Sequence, residues 1–155
     1  MKNRIGLNEN HAIELAQKLN SLLCNYQVFY MNVRGFHWNI RGDKFFELHL
    51  KFEELYNDLL LKIDEIAERI LSLGKVPFHT YTDYLQNSQV KPEISITDPK
   101  ACIQSILNSF ETILVLQREI LQLSAQYNDE GTNSIMSDYI RSQEKLVWMY
   151  SAYLN

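Results

Sequence analysis

The sequence predicts an all-α fold, a four-helix bundle whose second and third helices are joined by a long crossover. Three observations carry that expectation. Glycine and proline are scarce, at 5 and 3 of 155 residues. Apolar residues recur at helical spacing through four long segments. Runs of strand-forming residues bounded by turn signals are hard to find. At 46% hydrophobic residues the chain can fill one core, and its length suits a single domain over residues 1–155.

After a short arm bearing Lys2 and Arg4, the series Ile13, Ala16, Leu19, Leu23, Tyr26, Tyr30 and Val33 marks a first helix over about residues 9–37. Arg41 and Gly42 then signal a tight turn. Phe45, Leu48, Phe52, Leu55, Leu59, Ile63, Ile66 and Ile70 form the next apolar stripe, a second helix over about residues 44–73 closed by Gly74. Residues 75–97 contain Pro77 and Pro92 and little periodicity, so they read as the crossover, with one short helix around Tyr81 to Asn87. Asp98 followed by Pro99 is a helix start, an acid cap and then proline in the first turn. Ile103, Ile106, Phe110, Ile113 and Ile120 carry that third helix to about Tyr127. Gly131 and Thr132 break the pattern, after which Ile135, Tyr139, Leu146, Tyr150 and Tyr153 define the fourth, with Trp148 assigned to the core beside them. Two hairpins joined by a long crossover give the connectivity of ferritin-like bundles.

Charge narrows the function. With 15 Lys plus Arg against 19 Asp plus Glu, the net charge is −4, and no overall field draws the chain to nucleic acid or to an anionic membrane. Cys24 and Cys102 lie in apolar helical patterns, as reduced, buried thiols do. No charged-then-apolar leader opens the chain, and no stretch approaches the roughly 18 apolar residues of a membrane span. The expectation is a cytoplasmic protein without a membrane partner.

The chemistry concentrates between Phe36 and Ile70. His49 and Glu53 are four residues apart, as are Asp64 and Glu68, so each pair shares a helix face and can hold one cation. Other acids of this helix have opposite charges at the same spacing: Glu47 with Lys51, Asp58 with Lys62, and Glu65 with Arg69. Asp64 and Glu68 have no Lys or Arg three or four positions away, and like charges at that spacing repel. Imidazole with carboxylate suits divalent first-row metals, iron, zinc and manganese among them. The two pairs cannot share a metal within one chain, because fifteen residues of helix separate His49 from Asp64, about 22 Å at about 1.5 Å per residue. The same interval brings both pairs to nearly one side of the helix. A second copy running antiparallel across a two-fold axis would set His49 and Glu53 against Asp64 and Glu68 and create two equivalent sites. His37, twelve residues before His49, is the natural further imidazole once the turn at Gly42 folds the chain back. The Glu-x-x-His motif of an intrachain di-iron centre is absent.

The stretches "FHWNIRG", "FFELH" and "DEIAERI" resemble the Dps family of ferritin-like, DNA-protecting mini-ferritins. The resemblance extends to the crossover, to the cap at Asp98 and Pro99, and to the closing "LVWMYSAYL". It implies a ferroxidase centre between two-fold related subunits, with His37, His49 and Glu53 from one and Asp64 and Glu68 from the other as metal ligands and catalytic residues. It further implies a hollow homo-dodecamer that oxidises ferrous iron preferentially with hydrogen peroxide and stores ferric mineral, protecting the cell from oxidative damage. Glu53 departs from the family, which usually has Asp there. The family's acidic pores make Asp129 and Glu130 candidates for an iron path. Many members bind DNA through basic tails; this chain has only a short arm and no basic end, which implies weak or absent DNA binding. A non-enzymatic DNA-binding or structural cage with dimer-stabilising metal is the alternative expectation, and a zinc-stabilised helical bundle a third.

Overall fold

Four of the five helices in the computed structural model, which describes residues 1–155, begin where a side chain accepts hydrogen bonds from free N–H groups. α1 (Glu9–Asn39) starts at Asn8, which accepts from the N–H groups of Asn10 and His11. α2 (Phe45–Ser72) follows a turn in which Gly42 adopts a φ of 118°, a conformation that L side chains rarely take. α3 (Tyr81–Asn87) is the short helix of the crossover and is capped by Thr80. Asp98 caps α4 (Pro99–Gln126) and Asp129 caps α5 (Glu130–Leu154). No helix is long and apolar enough to cross a membrane.

α1 packs against both α2 and α4, α4 packs against α5, and α3 leans on α1. The core is continuous through Leu15, Leu22 and Phe29 of α1, Phe52, Leu59 and Ile66 of α2, Ile106 and Phe110 of α4, and Met136 and Tyr150 of α5. Phe29 meets Phe110 edge to face, with ring centroids 5.1 Å apart. Cys24 and Cys102 are free and buried as expected. The arm before α1 folds back, with Lys2 bridging to Asn8 and the Glu9 N–H donating to the Met1 carbonyl.

Two expectations about α5 are corrected. Gly131 and Thr132 do not break the helix; they form its first turn, because the Thr132 N–H donates to the cap Asp129 and Gly131 leaves room for the Arg69 guanidinium. Trp148 is not a core residue. It is 67% exposed, since it lies about 200° around the helix from both Leu146 and Tyr150, which face inward.

Candidate metal centre

The turn at Gly42 folds α2 back along α1 and brings the two predicted imidazoles together. His37 and His49 stack with centroids 3.8 Å apart and planes 11° from parallel. His37 Nδ1 lies 2.6 Å from the His49 carbonyl oxygen, and His49 Nδ1 lies 2.7 Å from that of His37. A carbonyl only accepts, so both rings must carry a proton on Nδ1, and in the neutral tautomer so fixed the Nε2 lone pair is free. Backbone carbonyls that hold Nδ1–H in this way orient metal-binding histidines. Tyr56 packs edge-on against His37 at 5.3 Å, and Phe45 stacks on His49 at 4.9 Å, so the imidazole pair is clamped from both sides.

The three predicted carboxylates are not gathered with the histidines. Glu53 is half-buried one turn along α2 from His49, while Asp64 and Glu68 are exposed further down the helix. None of the three forms an ion pair or a side-chain hydrogen bond within the chain. No three His, Cys, Asp or Glu side chains of one chain converge to hold a metal. The chain alone therefore presents separate sets of unpaired donor atoms, the two imidazoles with Glu53 one turn along, and the acids Asp64 and Glu68 further down α2.

The other acids of α2 are paired, though not all as the spacing suggested. Asp58 takes Lys62 at 2.7 Å. Glu47 takes Lys44 at 3.9 Å, while Lys51 turns to Glu54 at 2.9 Å, the three-residue alternative on the same helix. Arg69 leaves Glu65 altogether and donates to buried Asp129 at 2.7 Å and to Thr132 at 3.0 Å; Glu65 instead accepts from the Tyr139 hydroxyl at 2.6 Å. Asp129, 2% exposed and bonded to Arg69, Thr132 and its own helix start, is engaged within the subunit, whereas Glu130 is exposed.

A second, outward stripe on α2 was not read from the sequence. Phe46, Leu50, Leu60, Leu61 and Leu71 are between 46% and 81% exposed. At about 100° per residue they fall with His49, Glu53, Asn57, Asp64 and Glu68 inside an arc of about 120°, on the side away from the core stripe. Met31 and Trp38 of α1 are exposed as well. The signal was available as a second set of leucines left over once the core stripe is removed.

The bundle centre, where ferritin-like carboxylate proteins build their intrachain metal site, is closed by neutral groups. Tyr26 donates to Gln117, Gln117 to Gln143 at 2.7 Å, and Gln143 back to the Tyr26 hydroxyl at 2.7 Å. All three side chains are fully buried and mutually satisfied. Burial holds the Tyr26 phenol well above its ordinary range.

Against known proteins, residues 16–155 match the Ferritin-like domain family. The chain is 41% identical over 148 residues to a DNA protection during starvation protein of Porphyromonas gingivalis, covering 96% of this chain and 93% of that one. It is 32% identical to the protein of that name from Listeria innocua, covering 93% and 94%. A crystal structure of a Vibrio cholerae Dps protein, described as a member of the ferritin-like diiron-carboxylate superfamily, superposes with a TM-score of 0.98 at 53% identity, covering 99% and 97% of the two chains. The Dps structure from Bacillus brevis gives 0.91 at 31% identity over the full length of both.

Proposed function

The chain belongs to the Dps family of ferritin-like proteins, and from that premise we propose that it is an iron-storage and detoxification protein with ferroxidase activity at sites between subunits. The observation that carries this reading is the pair of complementary half-sites on one outward helix face: two imidazoles with oriented, free Nε2 atoms at one end, and two unpaired acids at the other. An antiparallel second copy of α2 would bury the apolar stripe of both chains and join His37, His49 and Glu53 of each to Asp64 and Glu68 of the other. Six such dimers would form the dodecameric shell.

Fe(II) is substrate and cargo. The Nε2 atoms and carboxylates offer the mixed nitrogen and oxygen donors it accepts, and the carboxylates balance most of the charge of two ferrous ions. Each of two Fe(II) ions gives one electron to hydrogen peroxide, the O–O bond breaks, and two protons complete two waters. Pairing the electrons avoids the hydroxyl radical that a single ferrous ion would release. Fe(III) then leaves the carboxylates for the mineral inside the shell. The apolar stripe around the ligands would keep bulk water from the reacting pair.

DNA protection by this route needs no DNA contact. The folded-back arm and the net charge of −4 support weak or absent binding. The test is to mix anaerobic, Fe(II)-loaded protein with hydrogen peroxide, following ferric absorbance and residual peroxide, with particle mass from light scattering. Consumption of about two Fe(II) per peroxide by a twelve-subunit particle is the expected result. A rate no greater than that of buffer would favour a non-enzymatic or zinc-stabilised cage.

A further inference from the structure

We propose that Arg34 is a positioning residue of the intersubunit site, pairing across the two-fold face with Asp64 of the partner subunit. This rests on the antiparallel dimer proposed above and adds to it the group that makes the acidic half-site tolerable before metal arrives.

Arg34 sits on α1 one turn before His37. Its guanidinium carbon lies 5.0 Å from the Trp38 ring centroid, 5.4 Å from that of Tyr56 and 5.9 Å from that of Tyr30. One Nη donates to the Tyr30 hydroxyl at 2.7 Å, while Nε is shielded from solvent and has no partner. No acid of its own chain lies within ion-pair distance. A cation hemmed by three rings is poorly hydrated and calls for an anion.

The anions on offer are few. Each cation of α2 is already paired: Lys51 with Glu54, Lys62 with Asp58 and Arg69 with Asp129. The other cation of α1, Lys18, is more than four turns away. At the site end of the hairpin Arg34 and Arg41 have no acid partner, and Arg41 stands out in the turn before α2, so Arg34 is the free cation along the helix face whose free charges are Glu53, Asp64 and Glu68. Register selects among them. His37 lies opposite His49, and Tyr30 packs on Tyr56, so Arg34 is level with Phe52 and Glu53. The antiparallel arrangement that sets His49 against Glu68 of the partner subunit sets Glu53 against Asp64 of the partner subunit, which brings that acid to the height of Arg34. A guanidinium can take one carboxylate oxygen and leave the other for metal. Converging acids from two chains repel one another when no metal is bound, and Arg34 supplies the opposing charge.

The experiment measures subunit dissociation by sedimentation over a dilution series in EDTA, with no iron present, for wild type, R34M, D64N and R34M/D64N. R34M is expected to raise the dissociation constant roughly tenfold or more, as loss of a desolvated interface charge does. Zn(II) is expected to restore assembly by supplying the missing charge. R34M is expected to add nothing in the D64N background. Assembly of R34M indistinguishable from wild type in EDTA would overturn the pairing, as would full additivity of the two substitutions. If circular dichroism shows R34M unfolded, R34K serves in the same cycle, non-additivity supporting the pair and additivity overturning it. Failure of the ferroxidase reading would appear instead in the iron assay of the wild-type protein, so the two are read separately.

Discussion

His37 and His49 hold one another through their own backbone carbonyls, so neither imidazole depends on a distant residue for its orientation. Removal of one ring at this position should therefore disable chemistry without unfolding the bundle. His49→Ala is expected to slow the peroxide-dependent oxidation of Fe(II) at least tenfold by stopped-flow absorbance, with particle mass and helical content unchanged; a wild-type rate would take His49 out of the site. The two cysteines make a second residue-scale case. Burial pushes the Cys24 thiol up to about 11 and the Cys102 thiol up to about 12, from an ordinary value of 9.0. Both remain protonated and shielded at neutral pH, so iodoacetamide should label neither in the native protein and both after denaturation, as read by mass spectrometry. In the pH linkage the folded state keeps these protons when the unfolded chain has lost them. The associated stability is complete below about pH 9 and declines as pH rises toward 11–12. The urea midpoint should accordingly fall between pH 8 and pH 10.5.

At the scale of elements, α2 is tied to the start of α5 by a constrained polar contact outside the apolar core. Arg69 reaches from the last turn of α2 to Asp129 and Thr132, crossing the face of Gly131. A Cβ on Gly131 would stand 2.7 Å from Arg69 Nη2 and 2.8 Å from Cζ and Nη1. The guanidinium cannot move aside without giving up its bonds to Asp129, which is nearly inaccessible to water. Gly131→Ala is therefore expected to destabilise the protein by about 1–3 kcal/mol, the usual cost of overpacking, despite the gain in helix propensity. Thermal unfolding checks it; a raised melting temperature would mean that Arg69 relaxes freely. The Tyr26–Gln117–Gln143 ring similarly ties α1, α4 and α5 together at the bundle centre, and satisfies every polar group it buries there.

For the whole molecule, the outward face of α1 and α2 governs behaviour. Leucines and Trp38 are exposed there on a charged protein's surface, and in the proposed dimer they would be buried around the two groups of candidate ligands, which would make association and metal binding one event. Twelve copies at −4 each would carry about −48 in all, so phosphate repulsion should dominate any encounter with duplex DNA. A gel-shift assay at physiological salt and magnesium is expected to show no retarded complex; a clean, salt-sensitive shift would reverse that view.

The sequence by itself determined the helices and the spacing of the candidate ligand pairs. Asp98 caps where its sequence places it, before Pro99, and the 3.6-residue repeat puts His49 with Glu53 and Asp64 with Glu68 whatever else the chain does. Both follow from local geometry, which a single segment contains. Which competing contact a side chain chooses was decided only by the tertiary structure. Arg69 prefers Asp129 to Glu65 because burial strengthens a charge pair that solvent would weaken. Trp148 turns outward because α5 has one face to give the core. The reciprocal bonds of His37 and His49, twelve residues apart, exist because the turn at Gly42 sets two backbones at one separation. The spacing that marked out the candidate ligands could not show that the acids stand unpaired among exposed leucines, because that depends on which face of α2 the core leaves free.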